Sequence, residues 1–124
     1  MASTLSKLKL VLPIYESGEL SLKLLADFIG ANQSQMSKIA RINIRTVSRN
    51  KTSTKTANTL QPLIYSLKML WELTDGSAED IKAWLNEPLI EWEGTRPIDV
   101  LLEGNINAVS QLVKRIYEGD SAGY

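Results

Sequence analysis

The chain has 124 residues and contains neither histidine nor cysteine. That length fits one domain, or one small domain with an appended module. The two missing residue types exclude disulfides, His-dependent triads, cysteine nucleophiles and His/Cys zinc sites. The formal net charge is zero, but residues 1–62 carry nine Lys/Arg against three Asp/Glu, and residues 63–124 carry five against eleven.

This unequal split of charge predicts two surfaces with different partners. No acidic residue lies between Asp27 and Glu72, a stretch that holds several Lys and Arg residues. A long stretch with basic charges only is typical of a nucleic-acid-binding surface, although a solvated basic face is the alternative.

Residues 1–19 have a mixed pattern. Leu5, Leu8 and Leu12 have helical spacing, but Pro13 interrupts it. The apolar run here is too short to span a membrane, and no small-residue cleavage pattern follows it. We therefore expect a cytoplasmic protein without a membrane segment.

Three short helices are predicted next. Ser21 is a suitable N-cap for the first helix, and Gly30 is placed to end it. Asn32 and Asn43 are suitable N-caps for the second and third helices.

The polar residues 51–57 are predicted to form a loop or wing. They divide the chain into a helix-turn-helix region at 1–57 and a second helical module at 58–124. The apolar spacing from Leu60 to Trp71 then predicts a long helix, with Pro62 in its first turn.

The remaining residues predict three more helices. Ser77 is an N-cap for a helix that stops before Pro88, and an irregular segment follows at 86–96. Pro97 suits the start of a short helix, and a last helix ends at Gly119. No strand pair is indicated, so we predict an all-α fold.

The three tryptophans, all in the second half of the chain, are predicted to have different environments. Trp71 and Trp84 have helical apolar spacing and are expected in the core. Trp92 lies between Glu91 and Glu93, and is either an interface anchor or a core plug for its loop.

Three short helices joined by tight turns are typical of a helix-turn-helix unit, whose second helix enters the major groove of DNA. The packing of such a unit needs a small residue in the first helix and an apolar residue ten positions later. Ala26 with Met36 meets this spacing, and so does Ser37 with Val47. The first alternative has the better turn glycine and the second has the more basic reading helix, so both stay open.

The second alternative places Arg45, Thr46, Arg49 and Asn50 on one outward side. Arg can pair with guanine, Asn with adenine and Thr with phosphate. Since one unit makes few base contacts, a homodimer on operator DNA is expected. The full set of DNA-binding candidates is Lys38, Asn43, Arg45, Thr46, Ser48, Arg49, Asn50 and Lys51.

An ordered series of residues in the second half resembles the C-terminal toxin-binding module of the Xre/MbcA/ParS antitoxins. The series is Ile-Lys-Ala-Trp-Leu-Asn-Glu-Pro at 81–88, Gly-Thr-Arg-Pro at 94–97 and Leu-Leu-Glu-Gly at 101–104, followed by residues 109–119. The segment Ile-Asn-Ile-Arg-Thr-Val-Ser-Arg at 42–49 also resembles the reading helix of that family. The chain departs from the family pattern at Arg41, where glycine is usual, at Asn50, and at Trp92-Glu93.

The resemblance implies a non-enzymatic type II antitoxin without cofactor or metal. Its partner would be a RES-domain toxin, an enzyme that consumes NAD or transfers ADP-ribose, whose active-site cleft the C-terminal end of the antitoxin covers. The helix-turn-helix would repress the antitoxin's own operon. The toxin-binding candidates are Trp92, Glu93, Arg96, Lys114, Tyr117, Asp120, Ser121, Gly123 and Tyr124.

Two other functions remain as alternatives. The chain could be a plain helix-turn-helix regulator whose C-terminal module only dimerises. The second alternative is a small enzyme that uses Glu91 and Glu93 as paired carboxylates. The sequence offers these carboxylates no His partner, no Lys partner and no glycine-rich cradle.

Overall fold

The computed structural model describes residues 11–119, and its fold is all-α as predicted. A short hairpin of β1 (Tyr15–Glu16) and β2 (Glu19–Leu20) precedes the helices. The helices are α1 (Leu22–Ile29), α2 (Gln33–Ala40), α3 (Ile44–Ser48), α4 (Thr54–Leu73), α5 (Ala78–Leu85), α6 (Pro97–Leu102) and α7 (Ile106–Tyr117), with a 3-10 turn at Ile90–Trp92 between α5 and α6.

The predicted N-caps of the short helices are confirmed. The Ser21 hydroxyl accepts from the Leu24 N–H at 3.1 Å, and the Asn43 side chain accepts from the Arg45 N–H at 2.8 Å. Asn32 caps α2 through its side chain in a reciprocal capping box. Each cap satisfies an otherwise unpaired amide of a first turn, and the sequence alone was enough to place all of them.

The expectation that no strands pair is wrong for the short hairpin. Tyr15 pairs with Leu20, and Glu16 with Glu19. Ser17 and Gly18 both have positive φ, at 53° and 81°. Two consecutive left-handed residues form a tight turn whose twist matches that of the flanking strands. The Ser-Gly pair was therefore the sequence signal for this hairpin.

The prediction of a loop over 51–57 is wrong from Thr54 onward. The Ser53 hydroxyl accepts from the Thr56 N–H at 3.1 Å, which caps α4 there. Thr56 is buried, and this burial stabilises the helical conformation of the polar stretch from Thr54 onward. Pro62 consequently lies inside α4 and not in its first turn.

One hydrophobic core runs through the described residues. α4 packs most extensively on α7, and α2 is central because it contacts α1, α3, α4 and α6. The proposed division at 57/58 falls inside α4, and the core includes side chains from both sides of it. Within residues 11–119, no helix has the length and apolar character needed to cross a membrane.

The three tryptophans all pack against this core and are half-buried. The Trp71 ring lies 5.8 Å from the Phe28 ring, centroid to centroid, in a tilted arrangement. Trp71 and Trp84, which were expected in the core, thus pack against it without being fully buried, and Trp92 does the same.

Candidate functional site

Four basic side chains on and beside α3 are exposed: Lys38, Arg45, Arg49 and Lys51, here called the basic group. α3 is held to the protein by Val47, its one fully buried side chain. Arg45 and Arg49 lie one helical turn apart and therefore project from the same side. Within residues 11–119 the charged ends of the basic group have no ion-pair or hydrogen-bond partner, so they are available to a ligand.

The uncharged DNA-binding candidates are partly engaged inside the chain. The Asn43 side chain caps α3. The Ser48 hydroxyl donates to Gln33 Oε1 at 2.7 Å, and Thr46 is half-buried. The basic group is therefore the freest part of the predicted DNA-binding set.

Asn50 does not have the outward orientation that we expected. Its Nδ2 donates to Ser21 Oγ at 3.0 Å, and its Oδ1 accepts from the Lys23 N–H at 3.0 Å. The residue itself is left-handed, with φ of 56°. Its amide thus extends the N-cap of α1, because the backbone turn after α3 directs it toward that helix end and not toward solvent.

Tight turns follow both α1 and α2, as the two predicted helix-turn-helix spacings require. Gly30 and Arg41, the residues that end α1 and α2, are left-handed with φ of 79° and 60°. Ala26, Met36 and Val47 are all buried. The two candidate reading helices differ in their surroundings, because α2 is enclosed by four helices whereas α3 packs mainly on α2 and α1.

A second candidate surface is the loop of residues 86–96, here called the Ile90 loop. Leu89 and Thr95 form an isolated antiparallel bridge across its base. Trp92 turns inward onto the core, whereas the Ile90 side chain is 98% exposed. Arg115 Nη2 on α7 bonds to Glu91 Oε2 at 3.2 Å and ties the loop to that helix.

Two of the toxin-binding candidates have partners within the chain. The Arg96 guanidinium forms two bonds to the Asp99 carboxylate, both 2.9 Å. This hydrogen-bonded pair lowers the pKa of Asp99 and raises that of Arg96. The Tyr117 hydroxyl donates to Glu72 Oε2 at 3.1 Å, a bond that raises the pKa of Tyr117.

The other toxin-binding candidates divide into three groups. Trp92 is half-buried against the core. Glu93 and Lys114 are exposed, and Glu93 is left-handed with φ of 54°. Asp120, Ser121, Gly123 and Tyr124 lie outside the described residues.

The acidic side chains of the Ile90 loop, Glu87, Glu91 and Glu93, are exposed. Glu91 has the cationic partner Arg115. Over residues 11–119 no group of three or more His, Cys, Asp or Glu residues is placed to hold a metal ion.

Our sequence analysis overlooked Ile90 and Arg115 as functional candidates. The available signal was an isoleucine in an irregular, proline-containing and acidic segment, where an apolar residue has no helical stripe to join. The Glu91–Arg115 contact had no local signal because 24 residues separate the partners.

Comparison with known protein families finds a match in the C-terminal part of the chain. Residues 66–119 match the family model of the antitoxin Xre/MbcA/ParS C-terminal toxin-binding domain. The match confirms the resemblance over the second half of α4, α5, the Ile90 loop, α6 and α7. No curated protein matches the chain.

Proposed function

We propose, from the Xre/MbcA/ParS antitoxin domain in residues 66–119, that this chain is a type II antitoxin of a RES-domain toxin. The chain binds the toxin, covers its NAD-consuming or ADP-ribosylating active site, and represses its own operon as a homodimer through the helix-turn-helix. Both activities take place in the cytoplasm, and the chemistry belongs to the toxin.

The match to a toxin-binding domain is the observation that carries this proposal. The charge of the same region supports it, because residues 63–124 carry eleven acidic against five basic residues. An acidic surface is attracted to a cleft that binds a negatively charged dinucleotide, and it is repelled by DNA. Toxin binding and DNA binding are therefore assigned to different halves of the chain.

The free basic group supports the DNA-binding part. Arg45 and Arg49 project from α3, the less enclosed of the two candidate reading helices. Unpaired cations on a helix beside a tight turn suit contacts with phosphates and with guanine edges. This favours the Ser37–Val47 spacing over the Ala26–Met36 spacing.

Inhibition of the partner enzyme tests the antitoxin assignment. The RES-domain toxin that this proposal assigns as the partner is purified, and its NAD turnover is followed as the chain is added. We expect turnover to fall to background near stoichiometric addition, and deletion of residues 119–124 to weaken the inhibition. An Arg45→Ala/Arg49→Ala variant is the matched control and should inhibit like the wild type.

A chain that binds its promoter but neither binds nor inhibits that enzyme contradicts the antitoxin assignment. It would favour a plain regulator whose C-terminal module only dimerises. Unchanged inhibition after removal of residues 119–124 contradicts only the role of the C-terminal end.

Promoter binding at several salt concentrations tests the DNA-binding assignment. We expect Arg45→Ala/Arg49→Ala to abolish specific binding, and the salt slope of the residual binding to fall by about one for each lost phosphate contact. A Lys68→Ala/Lys114→Ala variant removes the same charge from α4 and α7 and should bind like the wild type. Equal loss in both variants would mean that net charge, and not α3, determines binding.

A further inference from the structure

Ile90 is the most exposed large apolar side chain among residues 11–119. It is 98% exposed, compared with 64% for Val11 and 52% for Tyr65. The two residues that precede it in the loop are also apolar: Pro88 is exposed and Leu89 is half-buried. Isolated exposed apolar residues are common and carry no inference by themselves, so the structure around Ile90 decides its meaning.

The backbone that presents Ile90 is hydrogen-bonded on both sides. The Gly94 and Trp92 N–H groups donate to the Leu89 carbonyl at 2.8 and 3.1 Å. The Glu93 N–H donates to the Ile90 carbonyl at 3.0 Å. Together with the inward Trp92 side chain, these bonds hold Ile90 in one outward position. A loop whose backbone is already ordered loses little conformational entropy when a partner covers it.

The charges around Ile90 are mostly acidic. Glu87, Glu91 and Glu93 are exposed in the same loop. Arg115 compensates Glu91, so Glu87 and Glu93 remain as carboxylates without an ion pair in the described part of the chain. The loop therefore presents one apolar side chain with an acidic rim.

The Ile90 loop also lies beside the end of α7. The Arg115–Glu91 bond connects them, and α7 ends at Tyr117, shortly before the predicted contacts at 120–124. The loop and this helix end both belong to the matched toxin-binding domain. A partner that contacts the end of α7 at Arg115 is thus placed to contact the loop as well.

We infer that Ile90 is an anchor of the toxin interface, inserted into an apolar pocket on the toxin that is rimmed by basic side chains. The inference rests on the proposed function and adds a contact that is separate from the C-terminal residues. Burial of Ile90 supplies affinity, and Glu87 and Glu93 speed association by attraction to the basic rim. Trp92 acts from inside by holding the loop.

The inference is tested by titrating the full chain against the purified RES-domain toxin of the proposed function. We expect Ile90→Ser to weaken binding by about 10- to 100-fold, as for a central interface anchor, and Ile90→Leu to restore most of the affinity. Val11→Ser is the matched control, since it removes another exposed β-branched side chain outside the toxin-binding domain. Thermal unfolding of Ile90→Ser should equal that of the wild type because the side chain is solvent-exposed.

The charged rim has its own measurement. We expect Glu87→Gln/Glu93→Gln to lower the association rate at low salt and to leave the dissociation rate nearly unchanged. A rate that does not change overturns the role of the rim.

The outcomes distinguish the inference from the proposed function. If the wild type binds the enzyme and Ile90→Ser binds equally well, the anchor is wrong and the antitoxin assignment stands. If the wild type does not bind the enzyme, both fail. If Ile90→Ser changes only the mass of the free chain in solution, the loop contacts a second copy and the assignment to the toxin is overturned.

Discussion

Arg41, in the turn between α2 and α3, donates a hydrogen bond from Nη2 to the carbonyl oxygen of Gly104 at 2.9 Å. The two residues are 63 positions apart in the chain. The bond connects the turn between α2 and α3 to the turn between α6 and α7, which lies within the residues that match the toxin-binding family model. Arg41 adopts the left-handed conformation, with φ of 60°, that favours glycine.

Two substitutions at Arg41 separate its backbone from its side chain. Arg41→Ala keeps a Cβ in the left-handed region and loses the bond to Gly104, so we expect its free energy of unfolding to fall by about 1 kcal/mol. Arg41→Gly loses the same bond but relieves the left-handed strain, and should be more stable than Arg41→Ala by about 1 kcal/mol. Urea unfolding of both variants measures the difference. Equal stability of the two would mean that the turn at Arg41 carries no strain.

Asn50 is expected to act through the stability of α1. Asn50→Ala removes the bonds to Ser21 and the Lys23 N–H and keeps a left-handed backbone, so it should lower the free energy of unfolding by about 1–2 kcal/mol. Asn50→Asp retains the acceptor for the Lys23 N–H and should lose less. Hydrogen exchange of the first turn of α1, together with urea unfolding, measures both effects.

A DNA-binding measurement could contradict this structural role of Asn50. If Asn50→Asp is as stable as the wild type but changes which base is preferred in the operator, the side chain leaves Ser21 and contacts DNA. A uniform change in affinity across operator sequences supports the structural role.

The ion pair of Arg96 and Asp99 predicts a pH-dependent contribution to stability. Because the bond to Arg96 lowers the pKa of Asp99 below its unfolded value, this contribution is complete above the unfolded pKa. It is lost as the pH falls through the folded pKa. Asp99→Asn should therefore be less stable than the wild type at neutral pH, and the difference should vanish in acid.

Urea unfolding from neutral to acidic pH measures this difference. Asp80→Asn is the control, since Asp80 also lies in the first turn of a helix but forms no ion pair within residues 11–119. A stability gap between wild type and Asp99→Asn that persists unchanged into acid contradicts the assignment of the lowered pKa to Arg96. Both side chains are partly exposed, so the effect should be small.

Tyr117 is expected to titrate above the ordinary range of a tyrosine. Its hydroxyl donates to Glu72, and ionisation would both break that bond and place two negative charges together. Glu72→Gln should therefore lower the pKa of Tyr117. NMR titration of ring-labelled tyrosine measures it, with the signal assigned by its loss in Tyr117→Phe. Glu118→Gln removes a charge next to Tyr117 in sequence and should have the smaller effect; an equal effect would exclude the specific bond to Glu72.

The first turns of the helices show what could be predicted locally. Ser21, Asn32, Asn43 and Ser77 each accept from an amide two or three residues onward. Such a cap depends only on residue types within one turn, so the sequence was sufficient to find it. The start of α4 escaped prediction because its polar, threonine-rich first turn lacks an apolar stripe, and its helical state depends on burial of Thr56 in the assembled protein.

The sequence by itself determined the helical fold, the positions of most helices, the unequal distribution of charge and the similarity to the antitoxin domain. These properties depend on composition and on spacings of a few residues. Only the tertiary structure decided which polar side chains remain free for a ligand. Asn50 is engaged by Ser21 across 29 positions, Arg41 by Gly104 across 63 and Glu91 by Arg115 across 24. Partners so far apart meet only when the core assembles, and the same packing turns Trp92 inward and leaves Ile90 outside.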